Sequence, residues 1–397
     1  MQLPESVEKI INTLENAGFE AYAVGGCVRD TILGRTPNDW DVTTNARPEE
    51  VKALFRRTID TGIEHGTVTV MDHHEGFEVT TFRIDGAYKD SRHPESVEFT
   101  PDLREDLRRR DFTINAMAYS HKTGIVDLFG GREDLKNGIV RAVGNPTERF
   151  TEDALRIMRC VRFAAQLGFS IEPETYGAAK ELSPSLRVIS AERVREEFLK
   201  TLESAHPEYL EKLEDVGALP LFLPEYASNR AVAIKTVQKV PAGRIMRLAG
   251  LLLRMGSNVN EARTIGSRFF AELKFDNDTK NRVLHLIDFH DEKLTADPVL
   301  LRRFLNACGK ESYRDVITFI EKTEDVDLSD VREALQGIED RGECTSIKEL
   351  AISGRDLIDA GMRPGKQMGE ILNRLLDDVL ETPSLNKREI LLARAMK

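Results

Sequence analysis

The sequence predicts an α+β protein in two stretches: a small mixed sheet with helices over the first 140 residues, then an all-helical remainder. Two observations predict this. Strand-like runs at 21–24, 39–43, 67–71 and 77–83 are confined to the N-terminal third. Beyond about residue 147 such runs nearly vanish, and segment after segment repeats its apolar residues with helical spacing.

In order, residues 5–17 place Val7, Ile10, Ile11 and Leu14 on one helical face, and Gly18 stops the helix. The run 21–24 is a short strand entering Gly25-Gly26, and 28–33 is a helix closed by Gly34. A second strand spans 39–43, and a helix spans 48–57 with Pro48 at its start. The runs 67–71 and 77–83 flank a polar turn and form a hairpin. Helices follow at 151–167, 190–204, 206–216, 244–255, 259–273, 278–292, 297–307, 312–322, 327–341 and 365–381. No fixed repeat period or low-complexity tract interrupts them.

The hydrophobic fraction of 41% and charged fraction of 31% exclude a disordered chain. No apolar run reaches the ~18 residues of a membrane span, and the N-terminus lacks an apolar signal core, so a cytoplasmic protein is expected. Cys27, Cys160, Cys308 and Cys344 are far apart with no CxxC pair, which disfavours a zinc site or a disulfide framework. The net charge of −11 argues against a protein that coats nucleic acid non-specifically. A nucleic-acid substrate must therefore meet a locally basic surface, for which the arginines of 104–110 and the series Arg156, Arg159 and Arg162 are candidates.

Asp39-Trp40-Asp41 places two carboxylates at i and i+2, which on a strand share one face. Such a pair repels itself unless a cation intervenes, and oxygen-only ligands suit Mg²⁺ together with substrate phosphates. Acidic pairs on exposed strands are common, so context matters. Gly25-Gly26 precede the pair at a strand-to-helix turn where backbone can approach a phosphate, and Arg29 follows in that helix. The alternative is a tight turn with Arg29 merely paired to Asp30 or Asp39. Glu78 is the candidate third acid, with a solvated strand glutamate the competing reading.

These motifs resemble the head of class II tRNA nucleotidyltransferases (CCA-adding enzymes) and their bacterial poly(A) polymerase relatives. The resemblance rests on 25–30 (Gly-Gly-Cys-Val-Arg-Asp) with Asp39-Trp40-Asp41, and on 109–116 beginning Arg109-Arg110-Asp111. It continues through Phe129-Gly130-Gly131, Ile139-Val140-Arg141 and 149–159, covering roughly residues 21–165. It implies a polymerase-beta-like head at 1–140, a nucleotide-reading neck at 141–204, a helical body at 205–292 and a tRNA-binding helical tail at 293–397. It implies tRNA as partner, CTP and ATP as substrates, and no membrane or protein partner. Arg110 is the expected ribose or phosphate contact from the head, with Gly26 and Arg29 beside it.

In the helix expected at 151–167, Asp153, Arg156, Arg159 and Arg162 fall on one half of the wheel at about 100° per residue. Leu155, Ile157, Met158, Val161, Ala164 and Ala165 fill the other half, with Thr151 as N-cap. The plain alternative is a solvated face with an Asp153–Arg156 ion pair. The functional reading is base selection. A carboxylate only accepts hydrogen bonds and a guanidinium only donates them. Cytosine and adenine each present an amine donor beside a ring-nitrogen acceptor, whereas guanine and uracil present the reverse. Asp153 with Arg156 thus suits CTP and ATP, and Arg159 and Arg162 serve triphosphate or base positioning.

The expected reaction is addition of C, C and A to the tRNA 3′ end without a template. Two Mg²⁺ ions on Asp39 and Asp41 are expected, one activating the 3′-hydroxyl and the other the triphosphate. The resemblance implies that the polar segment 86–103 is a loop adjusting the pocket between C and A addition, and the presence of Asp90-Ser91-Arg92-His93-Pro94 in it favours full CCA addition or A addition over CC-only addition. His290-Asp291 is read as a helix-end feature, since further ligands for a metal dyad are not evident. Alternatives are an A-adding enzyme or a poly(A) polymerase and, more distantly, a non-catalytic RNA-binding scaffold, which the intact aspartate pair argues against.

Overall fold

The computed structural model describes residues 1–86 and 97–396. The 90–94 motif therefore lies outside the described residues. Two compact units emerge: 1–234 with 268–276, and 235–267 with 277–397.

The first unit is built on a seven-stranded sheet. Helix α1 (Glu5–Asn16) buries Val7, Ile10, Ile11 and Leu14, the stripe its sequence announces. It leads into β1 (Ala21–Val24) and then α2 (Gly26–Ile32), which begins two residues earlier than expected. There follow β2 (Asp41–Thr44), α3 (Pro48–Leu54), β3 (Thr58–Gly62), β4 (Thr67–Asp72) and β5 (Glu75–Thr81). The β4–β5 hairpin turns through His73 and His74 alone, at φ 44° and 70°, the left-handed pair that a two-residue turn requires. A small separate ribbon pairs β6 (Arg83–Asp85) with β7 (Val97–Phe99), so the single strand expected at 77–83 is divided. Then come α4 (Leu103–Arg108), β8 (Met117–Ser120), β9 (Gly124–Asp127) and α5 (Gly131–Asn137).

The sheet order is β3-β4-β5-β2-β1-β8-β9. Every neighbouring pair is antiparallel except β2–β5, which is parallel with Val42 opposite Val79. Tyr22, Val24, Phe82, Leu107 and Ala118 pack into one apolar cluster.

Beyond the sheet, the expected helix at 151–167 is two helices. After a short β10 (Ile139–Val140), α6 (Pro146–Glu152) starts at an Asn145 cap with Pro146 in its first turn. It ends at Asp153, whose backbone is extended (φ −138°, ψ 103°), and α7 (Leu155–Leu167) follows. Thr151 is not an N-cap, because its hydroxyl donates back to the Thr147 carbonyl in the last turn of α6. Then come β11 (Ser170–Ile171), α8 (Pro173–Leu182) and α9 (Ala191–Leu202).

The second unit is helical. Its helices include Asn277–Asp288, Pro298–Cys308, Tyr313–Glu324, Ser329–Asp340 and Lys366–Glu381, each within a few residues of the expected bounds. Leu357, Leu375, Leu376, Val379 and Leu391 form one of its cores. His290 bonds Asp291 at 2.8 Å and Glu324 at 3.0 Å, a structural tie just past a helix end. All four cysteines are buried, and burial pushes the Cys27 thiol up to about 11 and that of Cys308 up to about 12. Among the described residues no helix is long and apolar enough to cross a membrane.

Candidate active site

The sheet sets the geometry of the carboxylates. Val24 pairs with Asp41, so the Gly25–Gly26 turn leaves β1 beside that carboxylate. The parallel β2–β5 register then brings Glu78 level with Asp41 on the same face. Asp39 precedes the strand rather than lying on it, contrary to the sequence expectation, and is exposed in the loop that enters β2. Burial, then the neighbouring charges of Asp41 and Asp39, raise the Glu78 carboxyl above its ordinary pKa. Asp41 is also raised, by loss of solvent contact and by Asp39, against the pull of Arg110. Asp41 and Glu78, with Asp39 beside them, are a crowded oxygen-only donor set of the kind that suits a divalent cation. Among the described residues no three His, Cys, Asp or Glu side chains converge tightly enough to hold a metal alone. One or two carboxylates together with substrate phosphates are the usual ligands of Mg²⁺.

Two cavities meet at Asp41. One, of about 700 Å³, is lined by Asp39, Trp40, Asp41 and Glu78. The other, of about 410 Å³, carries Gly25, Gly26, Arg29, Arg109, Arg110, Asn115, Arg156, Arg159, Phe163 and Arg193 together with Asp41, Asp111 and Asp153. Six arginines against three aspartates leave it three positive charges in excess, in a chain of net charge −11. This is the locally basic surface that an anionic substrate requires.

Each arginine is held differently. Arg29 donates to Asp30 at 2.8 and 2.9 Å and to Asn115 at 2.6 Å, and lies 5.1 Å from the centre of the Phe163 ring. The Arg29–Asp30 pairing weighed from sequence is thus present, with Arg29 still on the cavity wall. Gly25 adopts φ 84°, and a Cβ there would stand 3.0 Å from Arg110 Nη1. Arg109 is the structural partner of buried Asp106, at 2.8 and 3.0 Å. Arg110 makes one long contact to Asp106, at 3.4 Å, and its Nε is buried without a partner. Burial pushes the Asp106 carboxyl up, but Arg109 and Arg110 outweigh it and hold it below the usual range.

The neck residues do not share one helical face. Asp153 lies between α6 and α7, with its Oδ1 capping α7 through the Leu155 N–H at 3.0 Å. Its Oδ2 accepts from Arg193 at 2.8 Å. Arg156 pairs not with Asp153 but with Glu152 at 2.6 Å, and donates to the carbonyls of Arg149 and Arg109 at 3.0 Å each. Arg159 grips Asp111 at 2.6 and 2.8 Å. Arg162 points elsewhere: it pairs with Glu197, bonds Gln166 at 2.8 Å, and lies over Phe163 rather than on the cavity wall. Sequence reasoning gave no role to Asp111, Asn115, Phe163 or Arg193, all of which line the cavity. The first two stood inside a motif already singled out, whereas Arg193 carried no local signal.

Asp111 joins α7 to the sheet-bearing part of the unit. It accepts from Asn115 at 3.0 Å, from the Phe112 N–H at 2.8 Å and from Arg159. Burial raises its carboxyl, but Arg159, the Asn115 amide and Arg156 outweigh it, so the group is held well below the usual carboxylate range. A depressed folded pKa stabilises fully above the unfolded value, about 3.9 for Asp, and is lost as pH falls below it. Asp111→Asn is therefore expected to destabilise the first unit by about 3 kcal/mol at pH 7. The deficit should shrink in denaturant titrations toward pH 3, and a deficit independent of pH would contradict this account.

The fold and the site define a nucleotidyltransferase. The family model described as Poly A polymerase head domain matches residues 21–141, and that of tRNA nucleotidyltransferase domain 2 matches 249–395. The model named "Probable RNA and SrmB- binding site of polymerase A" matches 168–229. A CCA-adding enzyme of Ligilactobacillus salivarius is 40% identical over 414 residues, covering 100% of this chain and 97% of its own. Another, of Lactobacillus helveticus, is 42% identical over 380 residues, covering 94% of this chain and 92% of its own. The solved structure of a Bacillus stearothermophilus CCA-adding enzyme in complex with CTP matches with TM-score 0.85 at 32% identity, covering 100% of this chain and 98% of that one. The chain belongs to the CCA-adding enzyme family.

Proposed function

We propose that this protein adds C, C and A to the 3′ end of tRNA, taking CTP and ATP, releasing pyrophosphate and using no nucleic-acid template, in the cytoplasm. One observation carries the reading: a basic cavity of nucleotide size that shares Asp41 with a second, carboxylate-lined cavity. A triphosphate suits the first, and the 3′ end of an acceptor strand suits the second. The relatives' name and the CTP complex of the Bacillus enzyme support the assignment.

Asp39 and Asp41 would hold Mg²⁺, with Glu78 beside them as a further oxygen donor. When bound, the metal supplies positive charge at the 3′-oxygen and at the triphosphate oxygens. Arg110, loosely engaged, is free to meet phosphate or ribose. Gly26 lets the chain lie close to the nucleotide, and Arg29 and Arg159 supply fixed positive charge on the cavity wall. Arg162 acts at one remove, through the ring of Phe163.

Asp153 and Arg156 select the base. A guanidinium has five N–H donors, and Arg156 spends three on Glu152, Arg149 and Arg109, so two remain. The Asp153 carboxylate takes one hydrogen bond on each oxygen and keeps further lone pairs. Acceptors beside donors match the Watson–Crick edges of cytosine and adenine and oppose those of uracil and guanine. We keep 1–140, 141–204, 205–292 and 293–397 as the proposed division into catalytic head, nucleotide-reading neck, body and tRNA-binding tail.

The test is incorporation of labelled CTP and ATP on tRNA lacking its CCA end, on the CC-extended form, and on a generic RNA. Two cytidines and one adenosine on the first substrate, one adenosine on the second and none on the third are expected. Long A tracts on the generic RNA would make the protein a poly(A) polymerase instead.

A further inference from the structure

Arg193 stands on α9, 40 residues beyond Asp153, and lines the arginine-rich cavity. Its Nη2 donates to Asp153 Oδ2 at 2.8 Å, while the other carboxylate oxygen is taken by the Leu155 N–H. Asp153 needs such restraint, since its backbone is extended between two helices. The terminal torsion of an aspartate is broad and roughly two-fold, so an untethered carboxylate rotates freely. Tethering both oxygens fixes the directions in which the remaining lone pairs point.

A second observation separates this contact from an ordinary brace. Arg193 Nη1 is buried and finds no hydrogen-bond partner. An ion pair kept for stability alone gains from having its buried donors satisfied, and an orphaned buried N–H costs stability. That Arg193 occupies the cavity wall at this cost points to a role toward the ligand.

We infer that Arg193 is the positioning residue of base selection, aiming the Asp153 carboxylate at the exocyclic amine of the incoming nucleobase. This rests on the assignment of Asp153 to base reading. A carboxylate that swings, or that admits a bridging water, loses its power to reject the carbonyl of uracil or guanine, because rejection depends on an acceptor held against an acceptor. Arg193 therefore acts on which nucleotide is taken, and much less on the rate of the chemical step.

The experiment compares kcat/KM for CTP, ATP, UTP and GTP on tRNA lacking its CCA end. The wild type, Arg193→Ala, Arg193→Lys, Asp153→Ala and the double alanine variant are measured, each checked for folding by thermal melting. Arg193→Ala is expected to cut CTP-over-UTP discrimination by about tenfold or more, mainly by raising KM for CTP. Arg193→Lys, which keeps the charge but not the fork, should restore part of it. On the Asp153→Ala background the further loss should be less than about twofold, because the partner is already gone. If Asp153→Ala erodes discrimination while both Arg193 variants keep it, Arg193 is a structural brace and the inference falls alone. If Asp153→Ala itself leaves discrimination unchanged, the base-reading assignment falls and the inference falls with it. Should Arg193→Ala fail to fold, the lysine variant decides, since a wild-type selectivity ratio there overturns the inference.

Discussion

Asp41→Ala is expected to lower nucleotide incorporation by about 10³-fold or more while tRNA binding stays within a few-fold of wild type. Asp41 is the residue common to both cavities, and its carboxyl is strained by Asp39 and eased by Arg110. On the proposed reading, removing it removes a metal-binding group at the point where acceptor and triphosphate meet. Metal stabilisation of a phosphoryl transition state is worth several kcal/mol, and each 1.4 kcal/mol is a factor of ten, which gives the magnitude. Asp39→Ala should behave alike, although Asp39 lies on a loop rather than on the strand. Filter-binding and single-turnover assays on the same preparations separate the two effects. Retained turnover would sink the metal assignment, and a parallel loss of tRNA affinity would show that the fold, not the chemistry, had been damaged.

The second large effect concerns selectivity. Sites built around hydrogen bonds discriminate by about 10⁴-fold, because a mismatched base leaves buried polar groups unpaired. Asp153→Asn replaces one acceptor with an amide donor, so UTP, whose O4 is an acceptor, should gain about 10²-fold or more relative to CTP. Arg156→Ala is a harsher change, since it strips a partner from Glu152 and from two backbone carbonyls and should lower stability as well. Competition assays with equal concentrations of two nucleotides read the ratio directly. An unchanged preference for CTP over UTP in Asp153→Asn would refute base reading by this pair.

The double glycine turn and the strand run at 21–24 were legible because each depends on short-range geometry, whereas Asp39 falls just ahead of β2 rather than on it. A hairpin at 67–83 follows from two β-rich runs and a polar turn; the structure adds that His73 and His74 alone make that turn and that the second run ends at Thr81, with Arg83 starting a separate ribbon. The helix expected at 151–167 failed for a physical reason. Its apolar period continues unbroken through Asp153, while the interruption is made by a carboxylate capping α7 from a position that a wheel assigns to the first turn. Asn145-Pro146, a cap followed by a first-turn proline, was the available signal that a separate helix starts earlier. The pairing of Arg156 with Glu152 rather than Asp153 follows from the same break. Arg193 was invisible because no local rule links residues so far apart. Arg162 sat on the right arc of the wheel yet turned to Glu197, since a wheel gives direction but not partners.

The parallel pairing of β2 with β5 has a consequence for how this site tolerates change. The chain leaves β2, makes a helix and two further strands of the same sheet across 45–74, and comes back beside β2 as β5, running in the same direction. The excursion returns to the side of β2, so residues gained or lost at its outer bends are absorbed there. The level pairing of Asp41 with Glu78 depends only on the two strands that carry them. A one-residue slip inside β5 is different, because alternation would turn Glu78 to the opposite face of the sheet. Variation in length is thus cheap at the periphery of this insertion and ruinous along seven residues of its last strand.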